Sequence, residues 1–351
     1  MADAEGVEFV AKVFKPVKTV LVSPALAEAN NGNWHTAHRW AQFLSSHCDI
    51  ALLPKWPMSL LTLPTSPASP DTEARAPQLM IALHARRSAA SIHAWAAAWP
   101  HKPLIVVLTG TDLYRDIQTD ADARQSLALA THLVVLQEAG LQAIPQAWRS
   151  KTSVIYQSAP TLKPADKSRR KFRALMVGHL REEKDPLTFM RAAAQNRTAS
   201  IYFDQIGSEL DAGIASAARA AILQAGNYRW LGGLPRAVTR QHIKRAHVLV
   251  NCSKMEGGAH VILEAIQSGT PVLASHIDGN IGMLGADYGG YFALGNDAQL
   301  AALVQRCAVD APFLALLQGQ CRQRAGLFAT GLEKRNVINL VRSALSSPRD
   351  S

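Results

Sequence analysis

Cysteine is scarce in this chain, and what little there is stands apart. Cys48, Cys252, Cys307 and Cys321 form no C-x-x-C pair and no cluster with histidines at metal-ligand spacing. That excludes a disulfide-stapled scaffold and a zinc module, and it fits a reducing compartment. Long apolar runs are also missing. The longest, near Leu127 to Leu136, is broken by Thr131 and His132, far short of the ~20 residues that span a bilayer. Met1 to Lys18 lacks the cationic start and apolar centre of a secretory signal. A soluble, cytoplasmic protein without stable membrane association is expected. No G-x-G-x-x-G follows a strand, no P-loop occurs, and no Lys/Arg run is interleaved with aromatics, so a nucleic-acid partner is not expected. Aromatics make up only 6% of the chain, which favours helices packed on sheets over an all-β sandwich.

What is present is a large apolar fraction, 48%, and a net charge of +10. The basic residues are scattered, with a local excess from Arg149 to Lys184, and small anions such as phosphates account for such a balance. The 351 residues exceed one ordinary core and suggest two domains at ~150 residues each.

Short apolar runs that end in turn residues read as buried strands. In the first half these are Thr19 to Val22, Asp49 to Leu53, Leu79 to Leu83, Leu104 to Leu108, Leu133 to Leu136 and Val154 to Tyr156. Asn30 to Asn33 reads as a turn, Thr36 to Ser45 and Ser88 to Ala98 as helices, and Pro54 to Pro77 as a loop. The pattern restarts at Ala174 to Val177 and continues through Ile201 to Ile206, Tyr228 to Leu231, Val248 to Val250 and Pro271 to Ala274. Strands alternating with helices specify α/β halves built on parallel sheets. The expected organisation is a disordered leader over 1–17, a first domain over 18–162, a linker over 163–171, a second domain over 172–330, and a C-terminal helix and tail over 331–351. Trp34, Trp40, Trp95, Trp99 and Trp148 read as core or sheet-covering residues. Asp120 and Asp122 read as surface, and His35 and His38, one helical turn apart, lack a third metal ligand.

Ligands of open α/β sheets bind beyond the carboxyl ends of strands. The segment from Asn251 to Ser275 is the strongest candidate there. Gly257 and Gly258 permit close approach of backbone to a ligand, the helix N-terminus after them, at Ala259, suits phosphate, and Glu256 and Glu264 offer acceptors for sugar hydroxyls. A plain strand–turn–helix with solvated glutamates is the competing reading.

The run Glu256-Gly-Gly-Ala-His-Val-Ile-Leu-Glu264-Ala-Ile-Gln-Ser-Gly269-Thr-Pro271-Val resembles the signature of retaining nucleotide-sugar glycosyltransferases of family 4. The resemblance implies the GT-B fold: two doubly wound Rossmann-like domains facing a central cleft, with the C-terminal helix crossing back to the first. It implies that Glu256 contacts the donor sugar, Glu264 the ribose, and Lys184, with Gly178, the diphosphate. The family's arginine after that glycine is His179 here, and Arg181 is the candidate to supply the charge. In the first half, Gly32-Asn33-x-x-Thr36-Ala-x-Arg39-Trp40, Ala82-Leu-His84-Ala-Arg86-Arg87-Ser88 and Thr109-Gly-Thr-Asp112-Leu-Tyr-Arg115-Asp116 resemble the selenosugar synthases of selenoneine biosynthesis. That similarity implies transfer from a UDP-sugar, UDP-N-acetylglucosamine foremost, to selenophosphate, giving a 1-seleno sugar, UDP and phosphate, with no metal or other cofactor. A glycosyltransferase acting on another small or lipid acceptor is the alternative.

Residue chemistry suits an anionic acceptor. Arg86, Arg87 and Arg115 follow strand ends, and guanidinium groups bind phosphate oxygens bidentately; a solvated helix start is the other reading of Arg86-Arg87. His84 is either structural or catalytic. Asp112 either orients a hydroxyl, His84 or an arginine, or caps a helix. Gly32-Asn33 either approaches the donor diphosphate or the acceptor from the first domain, or is a plain tight turn.

Overall fold

Leu79–Leu83 is buried at every position, which a strand achieves only when its sheet is covered on both faces. Its residues feed two separate cores in alternation: Met80 and Ala82 pack on one face, and Leu79, Ile81 and Leu83 on the other. The computed structural model describes residues 16–24, 32–57, 76–196 and 198–346. The expected leader up to residue 15, Asn30, Asn31, loop residues 58–75 and the tail 347–351 lie outside them.

The first sheet comprises β1 (Val17–Val22), β2 (Cys48–Leu53), β3 (Leu79–Leu83), β4 (Leu104–Val107), β5 (His132–Val135) and β6 (Thr152–Val154). All its pairs are parallel, in the order β2-β1-β3-β4-β5-β6. The second comprises β7 (Phe172–Val177), β8 (Ile201–Ile206), β9 (Tyr228–Trp230), β10 (Val248–Asn251), β11 (Val272–Ser275) and β12 (Tyr291–Phe292), in the order β12-β11-β10-β7-β8-β9, again parallel. Chain order reverses between β1 and β3 and between β7 and β10. Those two switch points are where such sheets open a crevice for ligands.

Two local expectations are corrected. Gly32 and Asn33 are not a turn but the start of helix Gly32–Leu44: the buried stripe at Thr36, Ala37, Trp40, Phe43 and Leu44 holds the segment on the sheet, and the helix extends back past it. Val17, placed in the leader, begins β1 and pairs with Cys48. Strand β12 has two residues, too short to show a period in sequence.

The last helix, Thr330–Ser346, buries Val337, Leu340, Val341 and Ala344 in the same core as Leu21 and Trp40 of the first half. The chain therefore returns to where it began. Glu333 anchors this return. It is fully buried and accepts hydrogen bonds from Arg39 at 2.8 and 2.9 Å, from Trp40 Nε1 at 2.9 Å and from Ser158 Oγ. Removing one partner of a buried pair leaves the other charge uncompensated. Glu333→Ala should lower the unfolding free energy by about 3–5 kcal/mol, as for other broken buried pairs, read from a urea melt.

Candidate functional site

The turn after β7 and the turn after β10 bring two charges together. Lys184 Nζ lies 2.6 Å from Glu256 Oε1, and Ser253 Oγ donates to the same oxygen at 2.6 Å. Burial alone would push the Glu256 carboxyl up. The Lys184 ammonium and the Ser253 hydroxyl outweigh it, with help from Arg181, and hold the carboxyl below its usual range. The Lys184 side chain crosses directly over Gly178, where a Cβ would meet its Cγ at 3.3 Å. Beside it, Gly207 is required absolutely: a Cβ there would lie 1.9 Å from the Gly178 carbonyl oxygen. His179, standing where an arginine was expected, accepts the Ser208 backbone N–H on Nδ1 at 3.1 Å. It braces the turn, and Arg181 borders the same cleft.

Glu264 sits on helix His260–Ile266, nearly buried. Its Oε1 receives Arg236 at 3.1 Å and has His260 Nε2 at 3.4 Å, with Arg240 at 4.0 Å. Burial again opposes ionisation, but His260 and the two arginines hold the carboxyl down at about 2. Across the cleft His35 is pushed down to about 4, by burial first and then by Arg236 and His260. His35, Arg236 and His260 all line the cleft, yet they escaped sequence reasoning. Arg236 stands 28 residues before Glu264, and no local pattern links them. His35 was weighed only as a metal ligand. Among the described residues no group of three or more His, Cys, Asp or Glu is arranged to hold a metal ion.

In the first half, His84 ends β3 with φ 71°, a left-handed backbone that costs a non-glycine residue roughly 1–3 kcal/mol. The ring is buried and hydrogen-bonded to Thr111 Oγ1 at 3.1 Å. Burial lowers its pKa against the pull of Asp112. Asp112 does not border the cleft. It is wholly buried, and its carboxylate accepts from the backbone N–H groups of Ala85, Thr109 and Gly110 at 2.9 Å each. Three backbone donors from two loops leave it a structural tie that places His84 and Thr111, in place of contact with a reacting group. The three candidate arginines separate likewise. Arg86 and Arg115 both turn to Asp116, at 2.8 and 3.1 Å, whereas Arg87 borders the cleft. Asp120, read as surface, caps helix Ala121–Leu129 by accepting from Ala123 N at 2.8 Å.

Gly257 and Gly258 meet a packing need beside the expected approach to a ligand. A Cβ on Gly257 would lie 2.4 Å from the Thr109 carbonyl, and one on Gly258 would lie 2.7 Å from Leu136 Cβ. These glycines let the ends of β4 and β5 touch the turn carrying Glu256. Both still border the cleft, as do Gly32, Asn33 and Gly178, while Ala259 is buried behind. Gly282 repeats the device, since its Cβ would collide with the Gln137 amide. The result is one cleft of about 790 Å³ between the two sheets. Lys184, Arg181, Glu256 and Glu264 line it from the second half, and Arg87, His84 and Thr111 from the first. Such a space, with cations on both walls and two ionised carboxylates, suits a ligand that carries both phosphates and hydroxyl groups.

Residues 161–312 match the family described as Glycosyl transferases group 1. The whole architecture matches solved structures. HepE of Anabaena, in complex with UDP and glucose, superposes with a TM-score of 0.73 at 17% identity, over 93% of this chain and 100% of that one. Sucrose-phosphate synthase of Thermosynechococcus elongatus gives 0.71 at 16% identity, over 93% and 99%. The pneumococcal O-GlcNAc transferase GtfA, in complex with UDP and GlcNAc, gives 0.62 at 17% identity, over 77% of this chain and 57% of that one. These likenesses establish the two-sheet GT-B fold.

Proposed function

We propose that this protein, whose residues 161–312 match the group 1 glycosyltransferase family within a GT-B fold, transfers a sugar from a UDP-sugar to selenophosphate. The observation that carries the donor side is the Lys184–Glu256 pair, held at 2.6 Å where both residues line the cleft. A carboxylate kept ionised there accepts from sugar hydroxyls, and the ammonium beside it meets charge on the departing diphosphate, a fixed electrostatic stabilisation of the leaving group. Glu264 takes the ribose. Two of the similar structures were solved with UDP, which supports a uridine donor, and the GlcNAc in one of them agrees with UDP-N-acetylglucosamine.

The acceptor rests on the first half. The His84 to Ser88 and Thr109 to Asp116 segments that resemble selenosugar synthases meet at the cleft through the His84–Thr111 contact, and Arg87 adds a cation for a phosphate-like group. Selenium attacks the anomeric carbon, forming the carbon–selenium bond. The bond from that carbon to the diphosphate oxygen breaks, and its electron pair leaves on UDP. Water then cleaves selenium from phosphorus, releasing phosphate and the 1-seleno sugar. Incubation with UDP-N-acetylglucosamine, with and without selenophosphate, tests this by mass spectrometry. UDP release only with selenophosphate, together with a selenium isotope pattern on the sugar, is expected. UDP-sugar unchanged in both tubes would sink the reading, and transfer to another acceptor alone would confine it to the donor side.

A further inference from the structure

His84 borders the cleft like a general base, but its hydrogen bonds assign it another task. Its Nδ1 accepts the Arg87 backbone N–H at 3.3 Å. A ring nitrogen that accepts carries no proton, so in the neutral imidazole the proton sits on Nε2. Nε2 faces Thr111 Oγ1 at 3.1 Å and donates to it. The charged groups around the ring do not change this. Asp112 lies 3.8 Å from Nδ1 and Asp116 4.0 Å from Nε2, but Asp112 is taken up by three backbone N–H groups and Asp116 by Arg86 and Arg115. Arg86 and Arg87 oppose a positive ring, and burial favours the neutral one. Both ring nitrogens are therefore engaged, and neither can take a proton from a nucleophile.

Thr111 inherits the consequence. Its oxygen already accepts from His84, so its own O–H must point to another acceptor, and Thr111 borders the cleft together with Arg87. Among the described residues, Arg87 is the one Lys or Arg of the first sheet's half that lines that space. We propose that Thr111 and Arg87 seat the acceptor as an oxyanion, with Thr111 donating its hydroxyl proton to an acceptor oxygen and His84 as the positioning residue that sets that direction. The inference rests on the donor and acceptor reading above and sharpens its substrate class. With both ring nitrogens of His84 engaged, this ring takes no proton from a nucleophile seated beside Thr111 and Arg87, and that seat suits one that arrives ionised, as a phosphate-like chalcogen anion does and a sugar alcohol does not.

The test is calorimetric titration of thiophosphate, the sulfur analogue, into the unaltered protein, Thr111→Val and Thr111→Ser, with UDP titrated in parallel. Thr111→Val should weaken thiophosphate about tenfold or more, the usual weight of a hydrogen bond to a charged group, while Thr111→Ser restores it. UDP affinity should be the same in all three, which a merely structural role for Thr111 would not predict. Thiophosphate binding that is absent from the unaltered protein, unchanged in Thr111→Val or not restored by Thr111→Ser would overturn the proposal. UDP failing to bind the unaltered protein would overturn the donor reading instead.

Discussion

Glu256→Ala should cut sugar transfer by about a hundredfold or more, the scale seen when one preorganised electrostatic group is removed from a reacting centre. Glu256 is 8% exposed, and Lys184 and Ser253 both reach the same carboxylate oxygen. Its loss removes the acceptor for the donor sugar and also frees the Lys184 ammonium to move, so binding and leaving-group stabilisation fall together. Lys184→Ala should act in the same direction for a second reason. Without the ammonium, burial weighs more heavily on Glu256 and its pKa rises, which weakens it as a charged acceptor. Steady-state rates with UDP-N-acetylglucosamine and selenophosphate, alongside melting temperatures, check both. Full transfer by either variant, with the fold intact, would remove this pair from the donor site.

Gly257→Ala should be nearly as damaging, for a reason of shape. The added methyl would lie 2.4 Å from the Thr109 carbonyl carbon and oxygen and 2.6 Å from Gly110 N. These are backbone atoms and cannot turn aside, so the two walls of the cleft must part. A misplacement of about 1 Å between reacting groups is worth roughly a hundredfold in rate, and kcat/KM should fall on that scale. UDP affinity should stay within about twofold, because a binding site carried by one wall does not depend on the other. A parallel loss of UDP affinity would instead mean that the glycine serves ligand approach. Gly110 faces the same contact with φ 146°, so Gly110→Ala should show the same split, with added backbone strain.

The order of elements, and the cassette from Glu256 to Glu264, were legible because they are local. A buried parallel strand is a continuous apolar run, and two glutamates eight residues apart on a strand–turn–helix are visible wherever the segment goes. Arg86 and Arg87 were legible as a pair but not as individuals: neighbours diverge, and it took the position of Asp116 to turn Arg86 away and leave Arg87 at the cleft. Arg236 and His35 were not legible as neighbours of Glu264. Arg236 stands 28 residues before it and His35 lies in the first half, and periodicity carries no information about such partners.

The Gly257-Gly258 turn marks the division most clearly. By itself the sequence determined that side chains are excluded there, since only glycine tolerates such close packing. The tertiary structure decided what fills the space: the backbone of Thr109 and Gly110, and Leu136, from the other half. The same holds for Asp112, whose chemistry permits several roles until three backbone N–H groups claim it. It holds again for Glu333, a carboxylate like any other until the last helix carries it back to Arg39, 294 residues earlier. Sequence sets which interactions each residue is able to make. Which of them are made depends on long-range packing, because a buried donor or acceptor must take the partner that the fold brings within reach.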